Sequence, residues 1–292
     1  MILDGKKVAE EIKQNLKTKI EKLTIKPSLA IVTFGEDEAS KVYVKNKIKA
    51  AIEVGIEAAH YIFTYDKYNS RYFWDSWWEI CGNFNGVIIQ LPAPSWVDVD
   101  TLLAGLPPQK DVDGLTISNI GYLNKESYPI TSTYLKPCTP KGIIALLDYY
   151  FTYSDLKGKN ALVIGRSNLV GKPIAKMLLD NDMTVTICHS KTPKDELLRA
   201  FSNADLVVSA AGQRNIISEE DAHYPIADFN FKQNRIIIDV GINKDEKGKL
   251  CGDFSEEFKQ KYSEHYTPVP GGVGPMTVAI LMANVYQATQ YQ

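Results

Sequence analysis

The run Leu162-Val-Ile-Gly-Arg-Ser-Asn-Leu-Val-Gly-Lys-Pro173 constrains the fold of this chain more than any other stretch. It reads as a buried strand, a glycine turn and the first turn of a helix, an arrangement that aims backbone N–H groups at a phosphate. Gly165 ends the strand, Gly171 lets the helix pack closely on the sheet, and Pro173 suits a first-turn position where its missing N–H costs nothing. Ile174, Met177 and Leu178 supply the apolar stripe of that helix. A second strand, Thr184 to Cys188, ends where an NAD-binding fold places an acid for the ribose 2′-hydroxyl; here stand His189, Ser190 and Lys191. Together with Arg166 these groups favour a 2′-phosphate, so the pattern predicts NADP rather than NAD.

At 292 residues the chain is long enough for two domains with well-buried cores. Its 45% hydrophobic and 23% charged content is that of a soluble globular protein. A formal charge of −2 gives no electrostatic case for nucleic acid or an anionic membrane surface. Charges at Asp4, Lys6 and Lys7 come too early for a signal peptide, and no apolar run would span a bilayer, so the expectation is a cytoplasmic protein. Cys81, Cys138, Cys188 and Cys251 lie far apart and read as reduced, mostly buried thiols, and the four histidines are equally scattered. No metal is expected.

Ser28 to Phe34, Ala58 to Phe63 and Gly86 to Leu91 read as strands separated by helical patterns. A second set runs from Ala161 through Thr184 to Cys188, Leu206 to Ala210 and Ile236 to Val240. The fold class is therefore α/β twice over, with parallel sheets. Pro129 to Pro140 looks like the passage between domains, which places a first domain at 1–140 and a second at 141–274. Thr267 to Thr277 is a loop by composition leading into an apolar helix through Ala279, Leu281, Met282 and Val285. Its glycines admit two readings, a close backbone approach to a ligand or a flexible linker. The aromatic group Tyr72, Phe73, Trp74, Trp77 and Trp78 has helical spacing and reads as core or subunit contact.

The helix from Glu38 to Val54 rewards a reading by face. Val44, Ile48, Ala51 and Ile52 should face the core, while Lys41, Lys45 and Lys49 form a solvated side. Lys47 falls outside that group, one turn after Tyr43 at the edge of the apolar stripe. Either it snorkels to water, or partial desolvation favours its neutral form and lets it take a proton near neutral pH. Gln90 follows a strand at the carboxyl end, where open parallel sheets meet their ligands. Lys110-Asp-Val-Asp-Gly114 reads locally as an Asp-Gly turn.

Six ordered motifs, Tyr43-x-x-x-Lys47, Gln90-Leu-Pro92, Lys110-Asp-Val-Asp-Gly114, Pro137-Cys-Thr-Pro140, Gly-Arg-Ser-x-x-Val-Gly-x-Pro and Pro270-Gly-Gly-Val-Gly-Pro-Met-Thr277, resemble the bifunctional methylenetetrahydrofolate dehydrogenase/cyclohydrolase family. The resemblance implies a Rossmann-like NADP-binding C-terminal domain, an active-site cleft between the domains, and a final helix 275–292 packed back on the first. It implies oxidation of 5,10-methylenetetrahydrofolate with NADP, then hydrolysis to 10-formyltetrahydrofolate, and so a place in one-carbon metabolism and purine biosynthesis. Lys47 matches the catalytic lysine, oriented by Gln90, with Tyr43 packing on the folate and Asp113 anchoring its pterin. Tyr43, Lys47, Gln90, Leu91, Asp113, Pro270, Gly271 and Gly274 match substrate positions. Gly165, Arg166, Ser167, Gly171, Ser190 and Ile242 match cofactor positions. The family commonly forms homodimers, which the resemblance extends to this chain. Ala93 and the short Cys251-Gly-Asp-Phe254 depart from the family pattern.

Other readings remain open at this level. A monofunctional NAD(P)-dependent dehydrogenase on the same folate would leave Lys47 without a task. A dehydrogenase of a small acid would share the nucleotide loop, and a non-catalytic nucleotide or folate module would not call for the Tyr43 and Lys47 pairing.

Overall fold

The computed structural model describes residues 1–35, 38–125, 134–223 and 234–291, so part of the passage read at Pro129 to Pro140 lies outside the described residues. Contacts divide the chain into two compact units, Glu10–Cys138 with Val278–Gln292, and Met1–Ala9 with Thr139–Thr277. The first nine residues go with the later unit because the chain start pairs with the strand at Tyr266. Leu3 N donates to Tyr266 O at 2.8 Å, and Tyr266 N returns a bond to Met1 O at 3.1 Å.

In chain order the elements begin with α1 (Gly5–Glu21), β1 (Ser28–Phe34), α2 (Glu38–Val54), β2 (Glu57–Phe63), α3 (Tyr65–Tyr68), α4 (Phe73–Asn83), β3 (Gly86–Ile89), α5 (Val99–Gly105) and α6 (Ile117–Asn124). The three strands form a parallel sheet in the order β2-β1-β3, with Leu29 opposite both Ala58 and Gly86. After these come α7 (Cys138–Tyr150), α8 (Tyr153–Leu156), β4 (Asn160–Ile164), α9 (Gly171–Asp180), β5 (Thr184–Cys188), α10 (Lys194–Asn203), β6 (Leu206–Ser209) and β7 (Ile236–Asp239). The chain closes with β8 (Asn243–Lys244), β9 (Leu250–Cys251), α11 (Glu256–Tyr262), β10 (His265–Tyr266) and α12 (Val273–Thr289). The second unit holds a five-stranded parallel sheet in the order β10-β7-β6-β4-β5, and β8 pairs antiparallel with β9.

Near-continuous apolar strands explain the parallel pairing. Every residue of β6 and β7 is buried, as is all of β1 after Ser28, which is the pattern of strands covered on both faces. The outer strands β5 and β2 are more open: Thr184, Thr186 and Ile187 of β5 and Glu57 and Ile62 of β2 are exposed. In α9 the expected stripe of Ile174, Met177 and Leu178 is buried, and Pro173 sits in its first turn. The loop expected from Thr267 to Thr277 is shorter than its glycines indicate, since α12 already begins at Val273.

Helix α2 corrects one expectation. Val44, Ala50, Ala51 and Val54 are buried, but Ile52 is 67% exposed. At about 100° per residue, Ile52 lies roughly 140° from the middle of the stripe those four define, whereas Lys47 lies within it. The aromatic group of α4 also divides: Phe73 and Trp77 are buried while Tyr72, Trp74 and Trp78 are exposed. Cys81, Cys138 and Cys188 are buried, Cys251 is partly exposed, and none of the four is in a disulfide. No helix among the described residues is long and apolar enough to cross a membrane.

Trp77 is the largest fully buried side chain of the first core, and its indole Nε1 meets no hydrogen-bond partner among the described residues. Trp77→Ala should therefore cost about 3–5 kcal/mol in a urea melt, and Trp77→Phe less than half as much, because only volume is lost. Equal losses would show that the indole N–H matters.

Candidate active site

Lys47 is brought to Gln90 by the pairing of β1 with β3. Gln90 N donates to Val32 O at 2.8 Å, which carries the ladder one residue past the strand and fixes the side chain at its carboxyl end. The Lys47 Nζ then donates to Gln90 Oε1 at 2.8 Å. Gln90 Nε2 donates to Leu91 O at 2.7 Å, so the amide is held with its oxygen toward the lysine. Gln90 is buried, and Lys47 and Leu91 are half-buried. Tyr43 stands one turn earlier on α2 and is 41% exposed.

Asp113 reaches the same site from a turn that its neighbours build. Val87 N donates to Lys110 O at 2.7 Å, which lays the segment along β3, and Lys110 Nζ donates to Phe84 O at 2.9 Å at the end of α4. The buried Asp111 Oδ2 accepts from Thr116 N at 2.7 Å and from Asn119 Nδ2 at 2.8 Å. Gly114 has φ +71° and lies so close to the segment before α7 that a Cβ would stand 2.6 Å from the Lys136 carbonyl carbon. Lys110, Asp111 and Gly114 thus shape the turn, and Asp113 is the member whose charge acts on Lys47.

Burial opposes the charge on both Lys47 and Asp113, and each charge resists that effect on the other. Burial pushes the Lys47 ammonium below its usual value, against the pull of Asp113 and Cys138. Burial raises Asp113, an effect that Lys47 opposes and that Asp111 reinforces. Gln90 offers Lys47 a hydrogen bond without a counter-charge. Lys47 is held below its ordinary value and Asp113 above its own.

Two participants escaped the sequence reading. Cys138 donates through Sγ to Val112 O at 3.2 Å and lies close enough to Asp113 to lower its carboxyl against the effect of burial. Asn284, fully buried on α12, donates through Nδ2 to Val112 O at 2.9 Å and to Lys136 O at 3.0 Å, pinning the turn that bears Asp113. Asn284 is one of several polar residues on α12, with Thr277, Gln287 and Thr289, and its spacing alone does not mark it out.

In the other unit, β4 ends in the expected glycine turn. Gly165 has φ +128°, and a Cβ there would lie 2.5 Å from Ala210 O; a Cβ on Gly171 would lie 2.3 Å from Gly165 O. Ser167 Oγ accepts from Val170 N at 3.1 Å and Gly171 N at 3.3 Å, closing the entry to α9. Arg166 and Ser190 are exposed after β4 and β5, and Ile242 is exposed after β7. These positions fit a dinucleotide, because the turn leaves no room for side chains and exposes polar groups along the strand ends. Pro270, Gly271 and Gly274 belong to this unit as well. Gly271 has φ +116° and accepts at its carbonyl from Lys6 N at 2.9 Å, while Gly274 is exposed in the first turn of α12.

A two-domain α/β protein with an amine-bearing site on one unit and a nucleotide turn on the other is the class that fold and site define. The family description for the tetrahydrofolate dehydrogenase/cyclohydrolase catalytic domain matches residues 3–113, and that for its NAD(P)-binding domain matches residues 137–292. The bifunctional protein FolD of Caldanaerobacter subterraneus is 41% identical over 293 residues, spanning 100% of this chain and 97% of that protein. The crystal structure of the Campylobacter jejuni bifunctional FolD methylenetetrahydrofolate dehydrogenase/cyclohydrolase superposes with a TM-score of 0.86 at 38% identity, covering 100% of this chain and 99% of that one. A Trypanosoma brucei methylenetetrahydrofolate dehydrogenase-cyclohydrolase, complexed with NADP and an inhibitor, gives a TM-score of 0.87 at 29% identity, covering 100% and 97%. The chain belongs to the tetrahydrofolate dehydrogenase/cyclohydrolase family.

Gly165→Ala tests the turn. The new methyl meets Ala210 O inside van der Waals contact on a backbone that L residues rarely adopt, so NAD(P) affinity should fall at least about tenfold in a calorimetric titration. Unchanged affinity would show that the cofactor lies elsewhere.

Proposed function

We propose that the chain oxidises 5,10-methylenetetrahydrofolate to the 5,10-methenyl compound with NADP and hydrolyses that product to 10-formyltetrahydrofolate. The observation that carries the reading is the Lys47 amine, desolvated on the buried stripe of α2, 2.8 Å from Gln90 and within the field of Asp113. Gly165, Arg166, Ser167, Gly171, Ser190 and Ile242 would hold NADP, with Arg166 and Ser190 facing its 2′-phosphate. When bound, the cofactor accepts the hydride that leaves the methylene carbon.

Hydride departure needs little acid–base help, because the adjoining folate nitrogens share the positive charge left on carbon. Hydrolysis does need it. As water adds to the methenyl carbon, one of its protons passes to the Lys47 amine; as the ring C–N bond then breaks, the Lys47 ammonium gives that proton to the departing nitrogen, and the hydroxyl of the adduct loses its own proton to the freed amine as the formyl C=O forms, for a net release of one proton to water. Gln90 keeps the amine aimed through both transfers. Asp113 anchors the pterin and steadies the ammonium, Tyr43 packs on the folate beside Leu91, and Pro270, Gly271 and Gly274 line the remaining substrate contact. We further propose a cytoplasmic homodimer joined through the cofactor domains, a reading that the open outer strand β5 supports.

Lys47→Met should reduce hydrolysis of the methenyl folate by at least about 100-fold, the scale of a lost proton-transfer group, and reduce hydride transfer far less. Equal losses in a coupled assay would contradict the division of labour. Because burial favours the neutral amine, wild-type hydrolysis should rise with pH through an inflection below the ordinary lysine value of about 10.4, and the Lys47→Met variant should lack that inflection. For the cofactor, titration should give at least about tenfold tighter binding of NADP than NAD, as expected for a paired 2′-phosphate. Comparable affinities would remove the roles given to Arg166 and Ser190.

A further inference from the structure

A polar cluster at the carboxyl ends of β6 and β7 takes no part in the chemistry above. Its centre is Asp253, fully buried in the short segment after β9. Asp253 Oδ2 accepts from Ser209 Oγ at 2.7 Å and from Ala211 N at 2.9 Å. Asp253 Oδ1 accepts from Gln213 N and from Asn243 Nδ2, both at 2.9 Å. One carboxylate therefore gathers the end of β6, the segment 210–213 that follows it, and the segment after β7 that carries Ile242.

Asp239 interlocks with it from the end of β7. Its Oδ1 accepts from Gly241 N at 3.1 Å and from Asp253 N at 2.9 Å, and its Oδ2 accepts from Phe254 N at 3.1 Å. Lys259 Nζ stands 3.7 Å from Asp239 and donates to Thr267 O at 3.1 Å. The approach is so close that a Cβ on Gly241 would lie 2.2 Å from Asp253 Oδ1, and one on Gly252 1.9 Å from Asp239 Oδ2. Burying charges at this density costs more desolvation than apolar packing of the same volume, so stability alone does not account for it. Geometry does: Ala210, next to the Ala211 N–H that Asp253 holds, presents the carbonyl against which Gly165 closes.

We propose that Asp253 is a positioning residue for the dinucleotide, fixing in one clamp the wall of the glycine turn and the Ile242 segment. The inference rests on the NADP reading above. It assigns a task to the shortened Cys251-Gly-Asp-Phe254 motif, which brings a carboxylate to two loops without touching the cofactor itself.

Asp253→Asn is the direct test. Whichever way the amide turns, its NH2 faces a backbone N–H, of Gln213 on one side or of Ala211 on the other, and that donor loses its acceptor. Calorimetric titration should show NADP binding at least about tenfold weaker, and the KM for NADP should rise more than kcat falls. Cofactor-free hydrolysis of the methenyl folate should persist at half or more of the wild-type rate, since the Lys47 site draws on other residues. Ser209→Ala removes a single donor and should weaken NADP about two- to threefold; it decides the matter if Asp253→Asn does not fold. NADP affinity within twofold of wild type in a folded Asp253→Asn, or unchanged in Ser209→Ala, overturns the proposal, as does a fall in hydrolysis that matches the fall in affinity. Wild-type protein that binds no NADP would instead overturn the cofactor reading, and the clamp with it.

Discussion

Parallel strand pairing is the constraint on which everything else in this molecule depends. When strands run in one direction and both faces are covered, their carboxyl ends finish together, and the loops that leave them lie side by side. Gln90 follows β3 in one sheet; Gly165, Ser190, the segment 210–213 and Ile242 follow β4, β5, β6 and β7 in the other. Each sheet therefore presents its polar groups along one edge while its apolar strands supply the core. The glycines at 165 and 171 have a place in this scheme because the turn must fold back onto its own sheet, where side chains would collide with Ala210 and Gly165 itself.

Buried charge is handled in two ways, with different chemical consequences. Lys47 donates to a neutral acceptor in Gln90 and lies in the field of Asp113, whose own ionisation burial opposes. At the ends of β6 and β7 the carboxylates are surrounded by donors, four of them on Asp253. Burial still lifts the Asp239 carboxyl to about 6, against the pull of Lys259 and two backbone N–H groups. The first arrangement sets burial against the charge of one amine, and the second holds backbone in place.

The strand runs, the glycine turn and the displacement of Lys47 from its neighbouring lysines were legible because they are local: periodicity, turn chemistry and helical spacing reach only a few residues. Ile52 was misread for a related reason. It satisfies the spacing of an apolar face, but which of two adjoining faces meets the sheet depends on how α2 lies on β1 and β2. Asn284, Cys138 and Asp253 were out of reach because their partners stand far along the chain, as with Asn284 and Val112. An acidic residue in a short glycine motif gives no sign that four donors from two loops will converge on it.

The sequence by itself determined two α/β units, a dinucleotide turn in the later one, and an amine at the edge of the apolar stripe of a helix, since each follows from residue types within a single turn or strand. Only the tertiary structure decided that this amine ends 2.8 Å from an amide 43 residues later, that Met1–Ala9 joins the later unit, and that buried carboxylates tie the loops after β6 and β7. Those outcomes depend on sheet register and on how donors are shared between distant segments, and such long-range pairing is settled by packing the whole chain at once.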